Sequence, residues 1–188
     1  SDLLSGSHVT AVDRSKPRLE RLSVNLERLK LSAEIRAVDA AQFNGGPFDA
    51  ILLDAPCSST GTIRRHPDVA WVKTEADLVK LVDVQSRLLA HAVSLLRPGG
   101  RLVYCTCSLE PDEGELQIEH LLAKTGSVQR LPFTVSELPA FSTDLASALT
   151  ANGDLRTLPS MLPHSDARMA GLDGFFAARL IKIGRAHV

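Results

Sequence analysis

Hydrophobic and polar positions along the chain follow two periods in turn. His8 to Asp13 is a short run rich in strand-forming residues that ends on an acid. Ser15-Lys16-Pro17 carries a helix-start signal, a serine cap with proline in the first turn. Leu19, Leu22, Leu26 and Leu29 then recur at helical spacing, which predicts one amphipathic helix. Residues 33 to 38 read as a second strand with Asp39 just past its end, and Asn44-Gly45-Gly46-Pro47 reads as a turn. Phe48 to Leu53 is nearly all apolar, as in a parallel strand covered on both faces, and it runs into Asp54-Ala55-Pro56-Cys57. After a polar, basic loop from Ser58 to Asp68, a long helix is predicted from about Glu75 to Leu96. It is closed by Arg97-Pro98-Gly99-Gly100. Arg101 to Cys107 forms the next strand and Glu110 to Ala123 the next helix. Prolines at 132, 139, 159 and 163 mark a looser stretch, and residues 174 to 181 close the chain as a last strand. Strands alternating with helices predict an open, mostly parallel α/β sheet, whose ligands bind outside the carboxyl ends of the strands. The acids and cysteines lie at those ends.

Composition narrows the picture. A chain of 188 residues with 44% hydrophobic and 23% charged residues fits one globular domain with a real core. Aromatics at 4% argue against a broad stacking platform for single strands. The net charge of −1 means that any nucleic-acid surface must be a local basic patch. No apolar run approaches bilayer length and no secretory signal is visible, so no membrane partner is expected and a cytoplasmic setting is the default. Cys57, Cys105 and Cys107 suit a reducing compartment. No repeat occurs, and no His/Cys cluster has metal-site spacing, so no metal is expected.

Two cysteines at the ends of neighbouring strands, Cys57 and Cys107, with the strand-end carboxylate of Asp54, make a candidate set for nucleophilic and acid–base chemistry. Cys105, inside its strand, reads as a small buried hydrophobe. A strand-end aspartate can accept the two hydroxyls of a ribose. Asp13 fits that role, Asp39 fits the adenine end of a nucleoside cofactor, and Asp54 the end nearest the chemistry. The plain alternative for each is a helix-capping or turn aspartate. Arg64-Arg65-His66 is the best local phosphate-contact candidate, against a solvated pair of loop charges. Trp71 is expected to pack under the cysteine loop. His91 and His120 read as surface or packing residues.

The segments DAPCSSTGTIRRHPD (54–68), PGGRLVYCTCSLEPDEGE (98–115) and LPHSDARMAGLDGFFAARL (162–180) resemble the Sun/Nop family of RNA cytosine-C5 methyltransferases, most closely the bacterial RsmB type that modifies small-subunit ribosomal RNA. The resemblance covers nearly the whole chain. It implies a Rossmann-like, S-adenosylmethionine-dependent methyltransferase sheet, mostly parallel with a C-terminal antiparallel strand. It implies Cys107 as the nucleophile toward cytosine, Cys57 as an aid to product release, Asp13, Asp39 and Asp54 as cofactor contacts, and ribosomal RNA as partner. DNA cytosine methyltransferases use the Pro-Cys thiol instead, so the second cysteine segment separates the two groups. An amino-group methyltransferase would carry an Asn/Asp-Pro-Pro-aromatic segment where Asp54-Ala55-Pro56-Cys57 stands. A non-catalytic RNA- or partner-binding remnant is the rival of a different class.

The resemblance also implies a first strand followed by a Gly-rich cofactor loop similar to Pro-Gly-Gly-Lys-Thr. The one Pro-Gly-Gly, at 98–100, sits between helix and strand. Residues 1–182 therefore read as a catalytic domain truncated at its N-terminus, with 1–5 the tail of the helix after the missing loop. The missing strand is expected between those ending at Asp13 and Asp54, and the chain alone is expected to be catalytically silent. Residues 183–188 resemble the translated read-through of a sequencing adapter and are read as a non-native tail.

Overall fold

The computed structural model describes residues 7–138, 143–166 and 170–184. The expectations for residues 1–5 and for most of the 183–188 tail fall outside them. The chain divides into two compact units, residues 1–45 and 46–188.

In the first unit, β1 (Thr10–Asp13) runs parallel to β2 (Glu34–Ala37), in register from Thr10 opposite Glu34 to Asp13 opposite Ala37. The crossover is α1 (Lys16–Leu29), with Pro17 in its first turn. It ends at Lys30, whose left-handed backbone turns its N–H back onto the last carbonyls of the helix. Leu19 is its one fully buried side chain among the described residues. Asp39 opens a 3-10 turn over Ala40–Gln42.

The second unit contains β3 (Phe48–Asp54), α2 (Val69–Val72), α3 (Glu75–Leu95), β4 (Leu96–Thr106), α4 (Glu115–Lys124), β5 (Val128–Arg130), β6 (Leu155–Thr157) and β7 (Phe175–Lys182). Its sheet runs β3-β4-β7-β5, with β6 also on β7. β3 and β4 are parallel, whereas β4, β5 and β6 all pair antiparallel with β7. The C-terminal antiparallel strand is present as expected, and because it gathers three antiparallel partners this sheet is mixed. The core lies where α3 and α4 meet β4 and β7, with Leu89, Leu102, Tyr104, Ile118, Phe176 and Leu180 all but sealed from solvent.

α3 begins where the pattern places it. Thr74 and Asp77 form a reciprocal capping box that satisfies the first free N–H groups. The helix ends at Leu95, within one residue of the expected end, but β4 starts at Leu96, directly after it, rather than at Arg101, and takes in the Arg97-Pro98-Gly99-Gly100 terminator. The ladder to β3 shifts there, from Phe48 opposite Leu96 to Ala50 opposite Arg101. Gly99, at φ +78°, supplies the backbone that such a bulge needs. The helix expected from Glu110 begins only at Glu115, after a 3-10 turn at Pro111–Glu113. β3 is not covered on both faces, since Leu52 is 70% exposed. Trp71 does not pack under the cysteine loop either: on the single turn of α2 it is 89% exposed, because four residues bury no face of their own.

Candidate active site

Parallel pairing of β3 and β4 sets Asp54 opposite Cys105 and brings both carboxyl ends to the same edge. The loops leaving that edge carry Cys57 and Cys107, which converge with their sulfurs 3.5 Å apart. Ser59 Oγ also lies 3.5 Å from Cys107 Sγ. Ser59 holds a left-handed φ of +62° at the entrance to a 3-10 turn over Thr60–Thr62, a conformation uncommon outside glycine. Both thiols are half-buried.

The two sulfurs share one proton unequally. Cys107 is held down to about 6, chiefly by the hydrogen bond that Cys57 donates to its thiolate, with Ser59 adding a second and burial opposing them. Cys57 is pushed up, chiefly by that same bond and then by burial and the nearby Cys107 charge. Cys105 is pushed up to about 12 by burial first and then by the Asp54 carboxylate, 3.9 Å from its sulfur. It stays a thiol, as expected of a packing residue. The arrangement favours ionisation of Cys107, with Cys57 kept as the thiol donor beside it.

Backbone contacts lock these loops together. Gly61 N–H donates to the Cys107 carbonyl at 3.0 Å, and Gly174 N–H donates to the Gly61 carbonyl at 2.8 Å. A Cβ on Gly61 would stand 1.9 Å from the Gly174 carbonyl oxygen, so only glycine permits this approach. Thr60 Oγ1 accepts the Leu109 N–H at 2.9 Å. The three segments that carry the resemblance, DAPCSSTG, TCSLEPDE and LDGFF, are thus hydrogen-bonded neighbours.

Of the basic loop, Arg65 is committed to both carboxylate oxygens of Asp173, with Nε at 3.0 and 2.9 Å. The pair draws Asp173 below the usual carboxylate range. This guanidinium ties the loop to the strand-leading segment of β7. Arg64 and His66 are exposed, and the stem of Arg64 lies beside Gly171.

Asp13 and Asp39 lie at the carboxyl end of the two-stranded sheet, each half-buried and each capping its own turn. Asp13 Oδ1 accepts the Ser15 N–H at 2.7 Å, with Arg18 3.5 Å from Oδ2, and Asp39 Oδ1 accepts the Ala41 N–H at 2.9 Å. The turn-aspartate role is therefore real for both. One oxygen of each is used in the cap, which orients the other.

Besides Ser59, two further residues around the thiols escape the sequence pattern. Glu113 is fully buried beneath the Cys57 loop. Arg156 on β6 pairs with Glu115, lies 4.9 Å over the Phe176 ring and donates to the Ser108 carbonyl, one residue past Cys107. Glu113 stands in a run of acids with no periodicity to single it out, and Arg156 comes from a three-residue strand. The only signal for Glu113 is its place in the segment after the second cysteine. Among the described residues no group of three or more His, Cys, Asp or Glu could hold a metal ion, and no helix is long and apolar enough to cross a membrane.

Known proteins resemble this chain over nearly its whole length. Residues 3–181 fit the family described as 16S rRNA methyltransferase RsmB/F. "Ribosomal RNA small subunit methyltransferase B" of Shewanella oneidensis is 41% identical over 176 residues, which cover 92% of this chain and 37% of that protein. The protein of that description from Klebsiella pneumoniae is 40% identical over 94% of this chain and 37% of its own length. The chain thus spans little more than a third of these relatives. Among solved structures, NSun6 from Pyrococcus horikoshii with SFG superposes at a TM-score of 0.73, with 27% identity over 95% of this chain and 42% of that one. A methyltransferase homologue from Pyrococcus horikoshii superposes at 0.68, with 30% identity over 94% of this chain and 54% of that one. The chain belongs to the RsmB/F family of 16S rRNA methyltransferases.

Proposed function

We propose that this chain is catalytic material of an enzyme that methylates carbon 5 of cytosine in small-subunit ribosomal RNA, with S-adenosylmethionine as donor and Cys107 as nucleophile. The observation that carries the reading is the thiol pair, 3.5 Å apart at the ends of β3 and β4, in which the Cys57 hydrogen bond favours ionisation of Cys107.

Carbon 5 of cytosine is too poor a nucleophile to take a methyl group unaided. The Cys107 thiolate adds to carbon 6, forming a C–S bond; the 5,6 π pair becomes a 4,5 double bond and the 3,4 π pair moves onto nitrogen 3, which leaves carbon 5 enamine-like. Asp54, at the end of β3, is the carboxylate proposed to hold the polarised ring by hydrogen bonding. S-adenosylmethionine, when bound, supplies an electrophilic methyl group on its sulfonium. The carboxylates of Asp13 and Asp39 fit its ribose and adenine end, because they stand at the carboxyl ends of two adjacent parallel strands with orientations fixed by their caps.

The shared proton gives Cys57 a second part. Its raised pKa comes first from the hydrogen bond to the Cys107 sulfur and in part from the Cys107 charge. Once that sulfur is bonded to carbon 6 it is neutral and a weak acceptor, so these two causes fall away while burial and the Glu113 charge remain, and Cys57 becomes easier to deprotonate, its proton passing to water. Its thiolate then removes the carbon-5 proton. That electron pair restores the 5,6 double bond, and Cys107 leaves as thiolate. Arg64 and His66 remain candidate phosphate contacts, whereas Arg65 would have to leave Asp173 to join them.

The test is methyl transfer by a protein of the relatives' full length carrying this chain, acting on small-subunit ribosomal RNA. Digestion of the product should yield 5-methylcytosine, and Cys107→Ala should yield none. Methyl groups on an exocyclic nitrogen, or activity that survives Cys107→Ala, would overturn the reading. No methyl transfer at all would favour a non-catalytic, RNA-binding remnant.

A further inference from the structure

We propose that Glu113 is a positioning residue that clamps the Pro56-Cys57-Ser58 loop from below and so holds the Cys57 sulfur in hydrogen-bonding reach of Cys107. Nothing of its side chain is exposed to solvent. Its carboxylate takes the Ser58 backbone N–H on both oxygens, at 2.9 and 3.1 Å, together with the Ser58 hydroxyl and the Gln85 amide at 3.0 Å. Gln85, also fully buried, donates at 2.8 Å to the Pro56 carbonyl. The peptide groups on either side of Cys57 are therefore both tied to one buried polar centre. Burying a carboxylate is costly, and it is sustained here only because these donors converge on it.

The same residue reaches the other loop through its backbone. The Glu113 carbonyl accepts the Tyr104 hydroxyl at 2.8 Å and the Thr106 hydroxyl at 3.2 Å, both on β4 immediately before Cys107. The Ser58 hydroxyl also stands 3.2 Å from Ser108 Oγ, one residue after Cys107. One side chain and one carbonyl of a single residue thus fix the two cysteine-bearing segments against each other. An electrostatic effect reinforces the geometry: the Glu113 charge is among the causes that keep Cys57 protonated, and hence the donor of the pair. A hydrophobic filler of the same volume could pack this space but could not hold the Ser58 N–H.

The inference rests on Cys107 as the reactive thiolate, so the experiment reads that property directly and needs no RNA. Iodoacetamide modification of Cys107 is followed by peptide mass spectrometry across pH 4 to 10 on the 188-residue chain, for the native sequence, Cys57→Ala, Glu113→Gln and the double variant, each checked for folding by circular dichroism. The native midpoint should lie near 6, with the ordinary thiol near 9 as reference. Groups facing Cys107 include Cys57, Ser59 and Asp54, the carboxylate of Asp54 opposing ionisation. Cys57→Ala and Glu113→Gln should each raise the midpoint by one pH unit or more. The double variant should rise no further than Cys57→Ala alone, because both act through one hydrogen bond. A merely structural Glu113 would lower the melting temperature and leave the midpoint in place; that result, with a low native midpoint, overturns the inference alone. A native midpoint near 9 overturns the thiolate itself and the inference with it. Should Glu113→Gln fail to fold, Glu113→Asp carries the test: the shorter side chain withdraws the carboxylate from the Ser58 N–H and should raise the midpoint, and an unshifted midpoint there overturns the proposal.

Discussion

The division of labour between two cysteines comes down to one proton, and it produces a direct pH signature. Cys107 ionises near 6, so its thiolate is present at neutral pH and is lost as the pH falls through 6. Cys57 titrates well above an ordinary thiol. Methyl transfer by a full-length protein should therefore lose its nucleophile on acidification, and its rate should fall with a limb near pH 6. A rate still rising steeply at pH 8 would contradict the assignment. In the same protein Cys57→Ala should accumulate a stable complex with ordinary cytosine RNA, seen as a slow band in a denaturing gel, because nothing then takes the carbon-5 proton. Normal turnover without that band would reduce Cys57 to packing. The two thiols were legible as a pair because each follows a strand signal, and parallel neighbours deliver their ends to one edge. Glu113, Ser59 and Arg156 were not legible. Their importance lies in hydrogen bonds across 41 to 55 residues of chain, for which local pattern carries no trace. Trp71 misled for the opposite reason: a lone tryptophan suggests burial, but nothing in its own short helix gives it a cavity.

At the scale of elements, the active-site edge is a junction of loops rather than a product of any one strand. Its tightest point is Gly61 against Gly174, joined by the 2.8 Å hydrogen bond between them. Gly61→Ala would put a methyl group 1.9 Å from a backbone oxygen, leaving no flexible side chain to yield. Overpacking of this kind costs about 1–3 kcal/mol, so urea denaturation should show a lowered midpoint with an unchanged slope. An unchanged midpoint would mean that the two loops are not locked as described. The start of α3 was readable from Thr74 and Asp77, since a capping box is a local signal. Its end was readable too, from the Pro-Gly-Gly that follows; what was not readable is that the chain enters β4 at once and spends Gly99 on a bulge. β3 looked like a strand covered on both faces because its sequence is nearly all apolar, whereas it ends its sheet and leaves Leu52 exposed.

Over the whole molecule, stability should be uneven. β4 is paired on both sides and contributes the fully buried Leu102 and Tyr104, whereas β1 has β2 as its ladder partner in a two-stranded sheet whose unit buries Leu19 alone among the described residues. Local opening is easiest where few apolar side chains are buried. Amide hydrogen exchange should therefore be fast across β1 and β2 and slowest across residues 102–105. Equal protection of β1 and β4 would contradict this division. The overall α/β class was legible from the alternation of periods and the C-terminal antiparallel strand from the resemblance, while the antiparallel pairing of β5 and β6 with β7 was not, because strand direction depends on partners distant in sequence. The central claim, that Cys107 attacks the base, is tested most directly with RNA whose target cytosine is replaced by 5-fluorocytosine. Fluorine at carbon 5 blocks the final elimination and traps the adduct. For a protein of full length carrying this chain, mass spectrometry of the crosslinked peptide should place the nucleotide on Cys107, and Cys107→Ala should form no adduct. An adduct on Cys57, or none on either thiol in a protein that methylates ordinary RNA, would contradict the account.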